Sequence, residues 1–190
     1  NNETLKKFPF KFELHISYEV NENEVKCKYG VINKDDRLMY FGLGGHPAFN
    51  CDYSTGQYFL KFEEEEKDIE IYNLENGLVK ESQINFERYL DNNRIILDKK
   101  IFDNDAIIIK KLKSRKVYLQ NKNRTILEFT FKEFPYLGLW SKPNAKFICI
   151  EPWFNTADKT NSNGIFEEKE DLIELEPNEK FEAEWSVKFN

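Results

Sequence analysis

The chain has 190 residues, of which 33% are charged, and a formal net charge of −6. That balance argues against a nucleic-acid surface, and no apolar run approaches membrane-spanning length. The 3 cysteines (Cys27, Cys51 and Cys149) are odd in number and lack Cys-x-x-Cys spacing, which argues against a disulfide framework or a zinc site and for a reducing cytoplasm.

The N-terminus carries no signal-peptide pattern. Phe8, Phe10, Phe12, Leu14, Ile16, Tyr18 and Val20 alternate with polar residues, the period of a half-buried strand. His15 falls on the polar face and reads as solvated. A polar turn follows, and Val25, Cys27, Tyr29 and Val31 alternate as the returning strand. Leu38 to Leu43 leads into Phe-Gly-Leu-Gly-Gly-His-Pro-Ala-Phe-Asn, residues 41–50, which holds His46, one of 2 histidines. Gly44 and Gly45 permit a sharp turn or a close backbone approach, and Pro47 pushes His46 into an extended conformation. Such a histidine is a candidate acid or base; the alternative is a tight turn whose imidazole bonds a neighbouring carbonyl.

Tyr58 to Phe62 is a short strand that stops at four adjacent acids, Glu63 to Glu66. Neighbours along a strand point to opposite faces, so these cannot converge on one ion, and a solvated edge or turn is expected. Ile69 to Tyr72 and the Asn-Gly pair at 76–77 suggest another strand and turn. Leu78 to Leu90 is ambiguous, with room for one helical turn. Ile95 to Leu97 is apolar, Ala106 to Ile109 reads as a buried strand, and the basic pair Lys110-Lys111 as a solvated face. Val117 to Leu119 and Thr125 to Phe131 make a hairpin, and Phe181 to Phe189 alternates again. No segment shows sustained helical periodicity, and no linker or repeat divides the chain. The expectation is all-β: one domain over residues 1–190, built as a large antiparallel β-sandwich. The abrupt start fits a domain missing earlier strands or a complete smaller sandwich.

Leu137 to Asp158 is the second informative stretch. Phe147, Cys149 and Glu151 share one face of a strand while Ile148 and Ile150 share the other. Glu151 is expected at the strand's end, because Pro152 cannot continue a ladder. A carboxylate among Phe147, Cys149 and Trp153 would be partly desolvated, raising its pKa and improving it as a base; the alternative is a strand-end glutamate in water. Trp140 and Trp153 offer flat faces of the kind sugar rings stack on, though most tryptophans are core. One histidine, one glutamate and nearby aromatics, without a metal set or nucleophile motif, suit proton transfer on a sugar.

Three motifs carry a resemblance: Gly44-Gly-His-Pro-Ala-Phe-Asn50, Asp103-Asn-Asp-Ala106, and Leu139-Trp-Ser-Lys-Pro143 through Cys149-Ile-Glu-Pro-Trp153. Along nearly its whole length the chain resembles the aldose 1-epimerase (galactose mutarotase) family, in its LacX-like bacterial branch. The resemblance implies a large antiparallel sandwich and a sugar substrate, with no cofactor or metal. It implies that His46 is the general acid on the ring oxygen and Glu151 the general base on the anomeric hydroxyl. Asp105 is implied to bind sugar hydroxyls, and Trp140 and Lys142 to line the pocket. His46 and Glu151 are then expected to flank one sugar ring, about 5–9 Å apart by analogy with paired glycosidase carboxylates. The family's earlier His-Gly stretch, with a second histidine and an arginine, has no counterpart here, so an N-terminal part is expected to be lacking. A sugar-phosphate mutarotase or a non-catalytic carbohydrate-binding sandwich are the alternatives.

Overall fold

The computed structural model describes residues 2–80, 83–85, 87–122 and 124–190. Parts of the ambiguous 78–90 segment and Asn123 of the expected turn lie outside them. Among the described residues, sixteen strands form three sheets. The largest has eight strands in the order β1 (Phe12–Asn21), β2 (Glu24–Asn33), β16 (Lys180–Phe189), β12 (Thr125–Thr130), β11 (Lys116–Asn121), β5 (Tyr58–Phe62), β9 (Arg94–Leu97) and β8 (Leu90–Asp91). The second has six: β4 (Ala48–Asn50), β14 (Phe147–Trp153), β13 (Tyr136–Trp140), β10 (Ile107–Lys110), β6 (Glu70–Glu75) and β7 (Leu78–Val79). A two-stranded sheet pairs β3 (Met39–Phe41) with β15 (Ile173–Leu175). Every pairing between these strands is antiparallel.

The two large sheets pack as a sandwich because each presents one apolar face. Ile107, Ile109, Leu137, Leu139, Ile148 and Ile150 from the six-stranded sheet join Leu60, Phe62, Val117, Leu119, Leu127, Phe129 and Trp185 from the eight-stranded sheet in one core. Phe129 stacks on Trp185 with ring centroids 5.4 Å apart. The alternating residues of β13 and β14 therefore face away from this core. That outer face carries Trp140 and Gly138, and Cys149, Glu151 and Trp153.

The first strand departs from expectation. A short helix, α1 (Asn2–Lys7), precedes it, and β1 begins at Phe12, not Phe8. Pro9 disfavours helical geometry at Phe8, and its carbonyl accepts a hydrogen bond from the Arg37 guanidinium. Phe8 instead packs its ring against Phe10 and Phe12. β1 is the edge of its sheet, and nothing among the described residues covers its apolar row. Leu14, Ile16, Tyr18 and Val20 are 45%, 50%, 65% and 73% exposed. His15 is exposed and lies 3.3 Å from Glu13, in line with the solvated reading.

The Asn76-Gly77 turn joins β6 and β7, with both residues at positive φ (53° and 81°), the geometry that tight hairpins need. The Glu63–Glu66 run is only partly a solvated edge. Glu63 to Glu65 are exposed, but the Glu66 carboxylate accepts the backbone N–H groups of Lys113 and Ser114 at 3.0 and 2.7 Å, fastening the turn between β10 and β11.

Candidate active site

β14 occupies an interior position in its sheet, with β13 on one side and β4 on the other. Beyond Ala48, which pairs with Cys149, the chain keeps following β14 backwards as an irregular segment. Ile150 donates to Pro47 O (3.3 Å), Gly45 to Pro152 O (2.9 Å) and Phe154 to Leu43 O (2.8 Å), and Gly44 bridges to Trp153. That register brings His46 level with Glu151, while Gly138 of β13 faces Glu151 from the other side.

Two expectations about this segment are corrected. Neither Gly44 nor Gly45 has positive φ, so the pair is not a turn. What it provides is close approach. A Cβ on Gly44 would lie 2.6 Å from Trp153 Cδ1, and one on Gly45 would lie 2.8 Å from Trp185 Nε1. Glu151 likewise does not end its strand, because β14 runs through Pro152 to Trp153. Pro152 turns its nitrogen toward Gly45, where the segment is irregular, and its carbonyl still accepts the Gly45 N–H. The missing donor thus breaks no bond to β13.

Trp153 lies flat over the sheet. A Cβ on Gly138 would meet Cζ2 and Cη2 of its indole at 2.6 and 2.7 Å, so glycine at 138 makes room for the ring. The indole N–H, the only polar hydrogen of that side chain, lies near enough to the Glu151 carboxylate to lower its pKa. Glu151 is 5% exposed. Burial pushes its pKa above the ordinary carboxylate range, partly offset by the charge and hydrogen bond of His46 and by the Trp153 N–H.

His46 and Glu151 are in direct contact, Nδ1 to Oε1, at 2.9 Å. The expected separation of one sugar ring is therefore overturned, because the register sets the two side chains on the same cross-strand row. The His46 side chain is 63% exposed, with its ring 6.0 Å from that of Trp140. Trp140 pairs with Cys149, and the thiol, the imidazole and the Glu151 carboxylate form a cluster whose ligand atoms lie within 4.8 Å of one another. Burial pushes the Cys149 thiol up to about 12, and the nearby Glu151 charge adds to the shift.

An open cleft of about 550 Å³ runs from this pair, lined by Gly42 to His46, Glu151, Trp153, Asn155 to Ala157 and Lys169. Asn155 and Lys169 have no signal in the sequence, since both lie in loops brought to the cleft by the fold. Lys169 pairs with Asp158 at 2.9 Å. The other candidates stand apart from this wall. Asp105 is exposed just before β10, at φ 69°, with its carboxylate accepting the Ala106 N–H at 2.8 Å. Lys142 is exposed in the β13–β14 turn, where its carbonyl accepts from Ala145 N–H (3.0 Å) and from the Tyr53 hydroxyl (3.1 Å). Ser141, fully buried, closes that turn by donating to Phe147 O at 2.7 Å. The Trp-Ser-Lys-Pro motif is thus in part a turn device.

No helix among the described residues is long and apolar enough to cross a membrane.

Comparison with known proteins bears on the family and the fold. The family model for aldose 1-epimerase matches residues 1–188. The plasmid-encoded LacX protein of Lactococcus lactis subsp. lactis is 29% identical over 184 residues, covering 93% of this chain and 62% of that protein. A galactose mutarotase related enzyme from Lactobacillus acidophilus superposes with a TM-score of 0.82 at 28% identity, over 100% of this chain and 65% of its own. A galactose mutarotase-like protein from Lactobacillus casei ATCC 334 gives 0.90 at 26% identity, over 100% and 67%. The chain thus spans 62% of the length of the curated relatives it matches.

Proposed function

The chain belongs to the aldose 1-epimerase family, in its LacX-like branch, and from that premise we propose that its cleft interconverts the α and β anomers of an aldose. The observation that carries the reading is the His46–Glu151 pair: a half-exposed imidazole bonded to a buried carboxylate of raised pKa at the head of an open cleft. Paired groups whose environments differ this way suit acid and base roles.

In this reading the two catalytic ends are the free ones. Glu151 Oε2 takes the proton of the hydroxyl on C1, while His46, protonated, gives one from Nε2 to the ring oxygen. The bond between C1 and the ring oxygen breaks, leaving an aldehyde and a free hydroxyl. Rotation about C1–C2 presents the other face, and reclosure returns one proton to His46 and the other to C1 oxygen. Acid and base are restored, and no proton is gained or lost. The Nδ1–Oε1 contact holds the imidazole in the tautomer and orientation that leaves Nε2 free. Trp140 and Trp153 supply flat apolar surface beside the pair. Asp105 and Lys142, which do not line the cleft, are proposed as outlying sugar contacts, tested by Asp105→Asn and Lys142→Ala, which should raise KM with little change in kcat.

The sugar-phosphate alternative draws little from the cleft. Lys169, the one lysine or arginine among its lining residues, is already paired with Asp158.

The test is anomer exchange, followed by NMR or by optical rotation of freshly dissolved α-galactose or α-glucose, in the longest available form of the protein. Glu151→Gln and His46→Asn should each lower kcat by ~10²–10⁴ with smaller effects on sugar binding, and the double variant should lose less than the two losses combined. Wild-type turnover in either variant would overturn the assignment. Sugar binding without any acceleration would favour the carbohydrate-binding alternative.

A further inference from the structure

Cys149 has no role in the sugar chemistry above, yet it sits two residues before Glu151 on the same face of β14. Its sulfur, a ring nitrogen of His46 and a carboxylate oxygen of Glu151 are mutually within 4.8 Å. A tetrahedral ion bound to such atoms at about 2.0–2.3 Å holds them roughly 3.3–3.8 Å apart. The His46–Glu151 pair, at 2.9 Å, would open slightly, and the other distances, at most 4.8 Å, would close by up to about 1 Å to meet that geometry. His46, with its side chain 63% exposed, has the freedom to move, and side-chain torsions of Cys149 and Glu151 supply the rest.

We propose that His46, Cys149 and Glu151 form a binding site for a borderline divalent transition metal, Zn²⁺ above all, and that this ion and the sugar exclude each other. The donor set argues for the class of metal. Nitrogen, thiolate and carboxylate together match Zn²⁺, whereas Mg²⁺ and Ca²⁺ need shells of oxygen. Three protein ligands leave a fourth position for water, and His46 and Glu151 both line the cleft from which the ion would arrive. Binding displaces the thiol proton and releases it to solvent, as any thiolate site requires. A carboxylate bound to the ion is a poorer base, and an imidazole bound to it cannot take up the second proton it would donate, so neither group could move protons as above. The predicted consequence is reversible inhibition, relieved by a chelator.

The metal site rests on the placement of three side chains and not on the mutarotase reading, so its test needs no turnover; only the exclusion of the sugar rests on that reading. The metal-free, reduced chain is titrated with Co²⁺ as a spectroscopic substitute for Zn²⁺. A thiolate-to-cobalt charge-transfer band should grow and saturate at one equivalent, then vanish when one equivalent of Zn²⁺ is added. Cys149→Ser should abolish the band and weaken Co²⁺ binding at least ~10-fold, since even the loss of an outer-shell partner has effects of that size. Cys51→Ser should leave both unchanged. His46→Asn, at an exposed position that leaves the fold intact, should weaken binding by a similar factor and keep the band at saturation. Absence of the band in the unmodified chain, its survival in Cys149→Ser, or unaltered affinity in His46→Asn would each overturn the site.

Discussion

Glu151 is held by neighbours with opposing effects on its charge, and its acidity is the property most open to measurement. Burial raises its pKa, while His46 and the Trp153 N–H lower it. A base whose pKa is raised loses activity as pH falls through a higher point than an ordinary carboxylate near 4.3. The acid limb of the rate profile should sit above that range. Trp153→Phe removes an N–H that stabilises the anion and should move Glu151 further up, read directly as the ¹³C shift of its carboxyl against pH. Stability follows the same sign. The folded state holds this proton more tightly than the unfolded state, so the linked stabilisation is present below about pH 4.3 and is lost as pH rises through the raised value. Glu151→Gln should therefore melt at or above the wild-type temperature at pH 7, and the difference should fade near pH 3–4. His46 and Glu151 could be singled out from the sequence because each sits in a short, chemically odd motif. Their contact could not, because it depends on a register between segments about a hundred residues apart.

β14 shows how one strand organises the cleft. Its inward residues Ile148 and Ile150 are fully buried in the sandwich core, which fixes the outward direction of Cys149, Glu151 and Trp153. The strand alternation that reveals this face is plain in the sequence. The glycines that accommodate Trp153 are legible only in space, since Gly138 looks like a weak spot in an apolar strand until the indole is seen above it. Gly138→Ala would place a methyl 2.6 Å from that ring. Overpacking of this kind costs ~1–3 kcal/mol, and urea unfolding should show a loss in that range. The displaced indole should also raise the Glu151 pKa, as Trp153→Phe does. At β1 the same alternation misleads. A period of two shows that a strand has an apolar face but says nothing about whether another layer covers it. The loops bearing Asn155 and Lys169 follow no period at all.

Across the whole molecule the uncovered face of β1 is the largest departure from a well-sealed sandwich. A free edge with exposed Leu14, Ile16, Tyr18 and Val20 is a template for contact with other chains. This 190-residue chain should self-associate with rising concentration. Ile16→Lys together with Tyr18→Lys should reduce that association in light scattering while leaving the melting temperature within a few degrees of wild type, because both positions are already exposed. The connectivity of the eight-stranded sheet has a separate consequence, one of timing. β16 lies between β2 and β12, paired with β2 from Lys180 to Lys188. At ~5–20 residues per second a ribosome needs on the order of 10–30 s to pass from the end of β2 to the end of β16. Throughout that interval β2 lacks its inner neighbour, and once β12 has been made the nascent chain carries two half-sheets with open edges. A chaperone that shields extended apolar segments should bind stalled chains ending before Lys180 and release those carried past Phe189, a difference that ribosome-bound truncations would reveal.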